Sequence, residues 1–86
     1  MKDKVQIVLY TKPGCGLCDK MKTEMKSAGV DNLYTLEEVN IEKDSDLFAR
    51  YRYEIPVLFI NGSEAFRHRL AVDEFRTCVT SLARAG

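Results

Sequence analysis

The run Val5-Gln6-Ile7-Val8-Leu9-Tyr10 constrains the fold more than any other feature, because it is apolar at both alternating positions apart from Gln6. A strand with two apolar faces needs cover on both, which is the situation of a central strand with helices packed above and below it. The cover has to come from a chain of 86 residues. That length suits one domain, expected over 1–86, with a core that hides roughly 60–65% of the unfolded surface.

The segments that follow can supply it. Thr11-Lys12-Pro13-Gly14 breaks the strand, and Cys15 comes next. From Gly16 to Ala28 the apolar residues Leu17, Met21, Met25 and Ala28 recur at near-helical spacing, with Lys20, Lys22 and Lys26 as a solvated face. Gly29 is placed to end that helix in a left-handed conformation. Leu36 to Ile41 reads as a half-buried strand, and Asp44 or Ser45 can cap a short helix carrying Leu47, Phe48 and Tyr51 on one face. Val57-Leu58-Phe59-Ile60, the turn dipeptide Asn61-Gly62 and an extended run through Arg69 predict a hairpin, since both turn residues accept positive φ. Val72, Phe75, Val79 and Leu82 line a closing helix. The order βαβ, α, ββ, α predicts an α/β fold with a four-stranded mixed sheet flanked by helices. Its first two strands should pair in parallel through a right-handed crossover.

Charge and hydropathy narrow the setting. Thirteen basic residues balance thirteen acidic ones, so no bulk charge draws the chain to nucleic acid or to anionic lipid. A hydrophobic share of 45% argues against disorder. No apolar run nears the ~20 residues of a membrane-spanning helix. Met1-Lys2-Asp3-Lys4 lacks the apolar stretch of a secretory signal, so a cytoplasmic protein is expected. Size and charge balance point to a monomer.

Three cysteines cannot build a disulfide framework, but Cys15 and Cys18 stand three apart at the junction of strand and helix. The unpaired N–H groups and dipole of a helix start favour an anion. Cysteines so placed have pKa values lowered to about 3.5–7.5 from about 8.5. Cys15 is therefore the candidate nucleophile, with Lys12 adding positive potential, and Cys18, one turn on and facing the core, is the candidate resolving thiol. Ile55-Pro56 at the start of the third strand is a second feature. A cis bond there would present the preceding backbone to an extended substrate, although only about 5–6% of X–Pro bonds are cis and an ordinary trans proline starting a strand is the alternative. A binding module of little turnover, holding zinc or an iron–sulfur cluster or docking a partner, is the competing function. Cys78 and His68 are the only further soft ligands and do not form a second close pair. Cys78 reads as a small buried hydrophobe, and no metal site is expected. Arg67, His68 and Arg69 form a cationic stretch that either binds a carboxylate or is merely solvated.

With Thr11-Lys12-Pro13-Gly14-Cys15-Gly16-Leu17-Cys18 and Ile55-Pro56-Val57 together, the chain resembles the glutaredoxins of the thioredoxin superfamily from about Val5 to Leu82. It looks closest to a small glutaredoxin-like subfamily, through Leu17-Cys18-Asp19, Glu38-Val39-Asn40-Ile41, Arg50-Tyr51, Asn61-Gly62 and His68-Arg69-Leu70. The resemblance implies a thioredoxin-like fold, a cis Ile55–Pro56 bond beside the cysteines, and thiol–disulfide oxidoreductase activity in electron transport. It implies no tightly bound cofactor, but glutathione as co-substrate, with Lys12 on a glutathione carboxylate and the backbone of Ile55 on its cysteine. The partners it implies are glutathione or a thioredoxin-type reductant, and a disulfide-containing protein or glutathione mixed disulfide as substrate. Two departures stand out. Gly16-Leu17 replaces the Pro-Tyr of dithiol glutaredoxins and the Gly-Pro of thioredoxins. Phe66 to Leu70 holds no Gly-Gly turn of the kind that precedes the glutathione-binding helix in glutaredoxins.

Overall fold

The computed structural model describes residues 4–85; Met1, Lys2 and Asp3 of the polar lead-in lie outside them. Strand β1 (Val5–Thr11) leads to helix α1 (Gly16–Ser27), strand β2 (Tyr34–Asn40), helix α2 (Ser45–Tyr51), strands β3 (Val57–Ile60) and β4 (Ser63–Arg67), and helix α3 (Val72–Ala85). The sheet order is β2-β1-β3-β4. β1 runs parallel to β2 and antiparallel to β3, and β3 runs antiparallel to β4. The strand with two apolar faces thus occupies the interior of a mixed four-stranded sheet.

The two faces of β1 receive different cover. Val5, Ile7 and Leu9 point with Leu58 and Ile60 into the main core, where Met21 and Met25 of α1 and Phe75 and Val79 of α3 close over them. The Phe75 ring lies edge-on to Tyr34 at 5.8 Å and to Phe66 at 6.4 Å. On the opposite face Tyr10 packs against Leu47, Phe48 and Tyr51 of α2 around Ile41 and Ile55. With only seven residues, α2 covers one end of that face, so Val8 and Phe59 remain half-buried. The cover expected on both faces is complete on one and partial on the other.

Several boundaries differ from the sequence expectation for local reasons. The second strand starts at Tyr34, before Leu36, and ends at Asn40. The Asn40 side chain accepts the N–H of Glu42 and turns the chain into a short 3-10 segment that buries Ile41. Because β2 is an edge strand, its middle is open and Leu36 is 40% exposed. Leu17, placed by spacing on the apolar face of α1, is 51% exposed, while Cys18, Met21 and Met25 form that helix's buried stripe. Asp44 is the cap of α2, its carboxylate accepting the N–H groups of Asp46 and Leu47. The hairpin turn forms at Asn61 and Gly62, both with positive φ. β4 stops at Arg67, short of Arg69, because His68 takes φ +69°.

Two stability experiments follow. Phe75→Ala empties the centre of the main core and should cost about 3–5 kcal/mol in urea unfolding. Burial raises the Tyr34 hydroxyl above its ordinary value, with Asp31 adding to it. Stability should therefore be full below the ordinary tyrosine value and fall as pH rises past it, and Tyr34→Phe should flatten that alkaline decline in melts followed from pH 8 to 11.

Candidate active site

Pro13 and Gly14 carry the chain from the end of β1 to the start of α1, and Gly14 takes φ +77°, a conformation cheap only for glycine. The turn delivers Cys15 as the N-cap of α1, with extended backbone (φ −91°, ψ 103°). Its Sγ accepts the backbone N–H of Cys18 at 3.1 Å, the position usually filled by a serine or aspartate oxygen. Its carbonyl accepts the N–H of Asp19 at 3.2 Å and begins the helical ladder. Cys15 and Cys18 are joined in a disulfide across a Cα–Cα distance of 5.2 Å. The pair is asymmetric: Cys15 is half-buried at the surface, whereas Cys18 is fully buried against Ile41 and Ile55.

Ile55 and Pro56 come to the same place. Ile55 belongs to the buried cluster with Cys18, and Cys15 lies against that cluster. The Ile55–Pro56 peptide bond is cis. Ile55 donates its N–H to the Tyr51 carbonyl at 3.1 Å, closing the end of α2, and the Pro56 carbonyl accepts the N–H of His68 at 2.8 Å. Among the described residues the Ile55 carbonyl has no hydrogen-bond donor, so acceptance rather than donation is what this backbone offers a ligand. Lys12 is half-buried and makes no ion pair among the described residues; it lines a groove of about 290 Å³ with Pro13, Gly14, Asp19, Lys22 and Asn40.

Arg67 ties these parts together in a way the sequence did not reveal. Its Nη1 binds Glu54 at 2.9 Å, and Nη2 and Nε bind the two oxygens of Glu64 at 2.7 and 2.9 Å. The guanidinium also stands 6.0 Å over the Tyr51 ring. Glu64 and Arg67 are three apart, which in a regular strand puts them on opposite faces. The β3–β4 register pairs Leu58 with Phe66 but Phe59 with Glu64, so Ala65 is an extra residue that brings the two side chains to one side. Arg67 holds the Glu64 carboxyl below the ordinary range, and the paired carboxylates push the guanidinium's own value up. Since Glu54 immediately precedes Ile55, this contact fastens β4 to the loop beside the cysteines.

The cationic stretch is therefore divided. Arg67 is neutralised, and the His68 Nε2 lies 3.6 Å from Glu54. Only Arg69 is left without an ion pair among the described residues. Cys78 stays apart on α3, half-buried against the main core and lining a hollow with Asp73, Glu74 and Thr77. Among the described residues no three His, Cys, Asp or Glu side chains gather as a metal site would require.

Known proteins resemble this chain in sequence and in fold. The model of the Glutaredoxin-like domain matches residues 6–79. A glutaredoxin-like protein of Dictyostelium discoideum is 30% identical over 76 residues, which cover 81% of this chain and 70% of its own length. The solution structure of protein Ne2328 from Nitrosomonas europaea superposes with a TM-score of 0.75 at 25% identity, covering 92% of this chain and 95% of that one. The crystal structure of a chloroplastic thioredoxin z superposes at 0.71 with 18% identity, over 98% of this chain and 81% of that one, and so shares the thioredoxin-like fold.

The Arg67 contact has a direct readout. Arg67→Met should leave the sheet folded and speed amide hydrogen exchange at Ile55 and His68 relative to Ile7 and Leu9 in the sheet centre. Unchanged exchange at those two amides would show that Glu54 and Arg67 do not restrain the loop.

Proposed function

We propose, for a chain that belongs to the glutaredoxin-like family, that it is a thiol–disulfide oxidoreductase with Cys15 as nucleophile and Cys18 as resolving thiol. The observation that carries this reading is the asymmetry of the pair: one sulfur caps a helix at the surface and the other is buried one turn behind it. In the dithiol form the Cys18 N–H that now meets Cys15 Sγ, with the dipole of α1 behind it, would favour its thiolate. Cys18, away from water, stays a neutral thiol until its proton is removed.

The exchange then runs in two displacements. The Cys15 thiolate attacks one sulfur of a substrate disulfide; that S–S bond breaks, a Cys15 mixed disulfide forms, and one substrate thiolate leaves. Cys18 loses its proton and attacks the Cys15 sulfur, forming the intramolecular disulfide and releasing the second substrate thiolate. Two electrons pass from the dithiol to the substrate. Two glutathione molecules restore the dithiol by the reverse displacements and leave as glutathione disulfide. Lys12, unpaired beside the turn, is the side chain we assign to a carboxylate of glutathione, and the free Ile55 carbonyl, next to Pro56, is the acceptor for the backbone N–H of its cysteine. Protein disulfides and glutathione mixed disulfides are the proposed substrates, with a thioredoxin-type reductant as the other possible electron source.

The test is intact mass and thiol count across glutathione redox buffers, with single-cysteine variants. The parent should lose two protons reversibly on oxidation. Cys15→Ser should reduce turnover of a glutathione mixed disulfide to the uncatalysed background. Cys18→Ser should accumulate an adduct on Cys15, whereas an adduct that builds up on Cys18 in Cys15→Ser would reverse the assignment. A disulfide without any glutathione adduct would transfer the reductant role to a thioredoxin-type protein.

A further inference from the structure

Beside the exposed end of the redox pair lies a cleft of about 240 Å³ between the first turns of α1 and the β4–α3 connection, lined by Leu17, Lys20, Glu24, His68, Arg69 and Leu70. Two of its lining residues are apolar: Leu70 is buried, and Leu17, between the two cysteines, turns half its surface to solvent. Lys20 and Arg69 make no ion pair among the described residues. Glu24 is the one carboxylate of the cleft and sits two turns along α1 from the Cys15 cap. With Lys20 and Arg69 against Glu24 the cleft carries an excess of positive charge, and Lys20 stands nearer Cys15 along α1 than Glu24 does.

The wall of the cleft is held in an uncommon conformation. His68, which is not glycine, has φ +69°, and the Arg69 N–H bonds back to the Arg67 carbonyl at 2.8 Å, closing a γ-turn around it. Positive φ of this kind is uncommon in a residue with a Cβ and persists where neighbours over-determine it, often at ligand clamps. The neighbours are visible here. The His68 N–H is tied to the Pro56 carbonyl at 2.8 Å, and Arg67 on its other side is anchored to Glu54. The turn sends Arg67 back to the loop and leaves Arg69 on the cleft.

We infer that this cleft docks an acidic segment of a protein substrate, next to the disulfide that Cys15 attacks; the inference rests on the redox reading of that pair. Leu17 would cover an apolar side chain beside the scissile disulfide, and Lys20 and Arg69 would meet carboxylates a few residues away. Attraction of this sort acts mainly on encounter and on choice of partner, and it fades as salt screens it.

The experiment compares two disulfide-linked peptides that differ only in flanking glutamates or lysines, with glutathione mixed disulfide alongside. The acid-flanked peptide should have a kcat/KM about tenfold higher at low salt, and the ratio should shrink toward unity at ~0.5 M salt. Lys20→Glu and Arg69→Glu should each reduce the ratio, and together should invert it. Glu24→Gln should widen it, while Lys26→Glu, at the far end of α1, should leave it unchanged. A second arm titrates a cysteine-free acidic peptide into the Cys15→Ser, Cys18→Ser double variant, where backbone amide shifts should gather at Leu17, Lys20 and Arg69. Equal kcat/KM for the two peptides, or a ratio that ignores both reversals, overturns the inference and leaves the redox reading intact. Shifts at those three amides in the double variant, together with no disulfide turnover by the parent protein, would support the docking surface and sink the redox reading instead.

Discussion

Everything around the functional end of this molecule depends on a cysteine sulfur serving as a helix cap. The Cys18 N–H would be one of the orphan donors of α1, and Cys15 Sγ takes it up. That one contact sets where α1 begins, which way Cys15 points, and how far Cys18 lies behind it. It also makes a structural requirement coincide with a chemical one, because the amides that need an acceptor are those that would stabilise a thiolate. A serine there would cap as well. Sulfur adds the nucleophile.

A second set of contacts keeps the rest of the site facing that sulfur. Cys18, Ile41 and Ile55 come from α1, from the turn after β2 and from the loop before β3, and they form one small buried cluster separate from the main core. Such a cluster fixes the cis proline loop against the redox pair by packing alone. Arg67 adds a polar tie from the outside through Glu54, and the bulge at Ala65 lets it do so. Exposed ion pairs contribute little to global stability. The value of this one lies in where it is placed, one residue from Ile55.

Most of the framework was legible because it follows from local chemistry. Doubly apolar β1, the methionine stripe of α1, the Asp44 cap and the Asn61-Gly62 turn each state their structure in a few adjacent residues. The parallel β1–β2 pairing followed from the helix between them. Leu17 and Leu36 misled because hydrophobic spacing does not show whether another element comes to cover a residue. The end of β4 misled because His68 is not a residue type that announces positive φ. Its conformation is set by Pro56 and Arg67, which reach it only in the folded chain.

The division has a physical basis. The sequence by itself determined the α/β order of elements, the Cys15–Cys18 pair at a helix start, and Ile55-Pro56 at the head of a strand, because each rests on interactions within a few residues. Only the tertiary structure decided that the isoleucine packs on Cys18, that Arg67 is spent on Glu54 and Glu64 while Arg69 remains without an ion pair among the described residues, and that Lys20 and Leu17 share a cleft with it. Those outcomes depend on strand register, on one bulge and on how two distant loops meet. None of these is encoded in any single stretch of the chain.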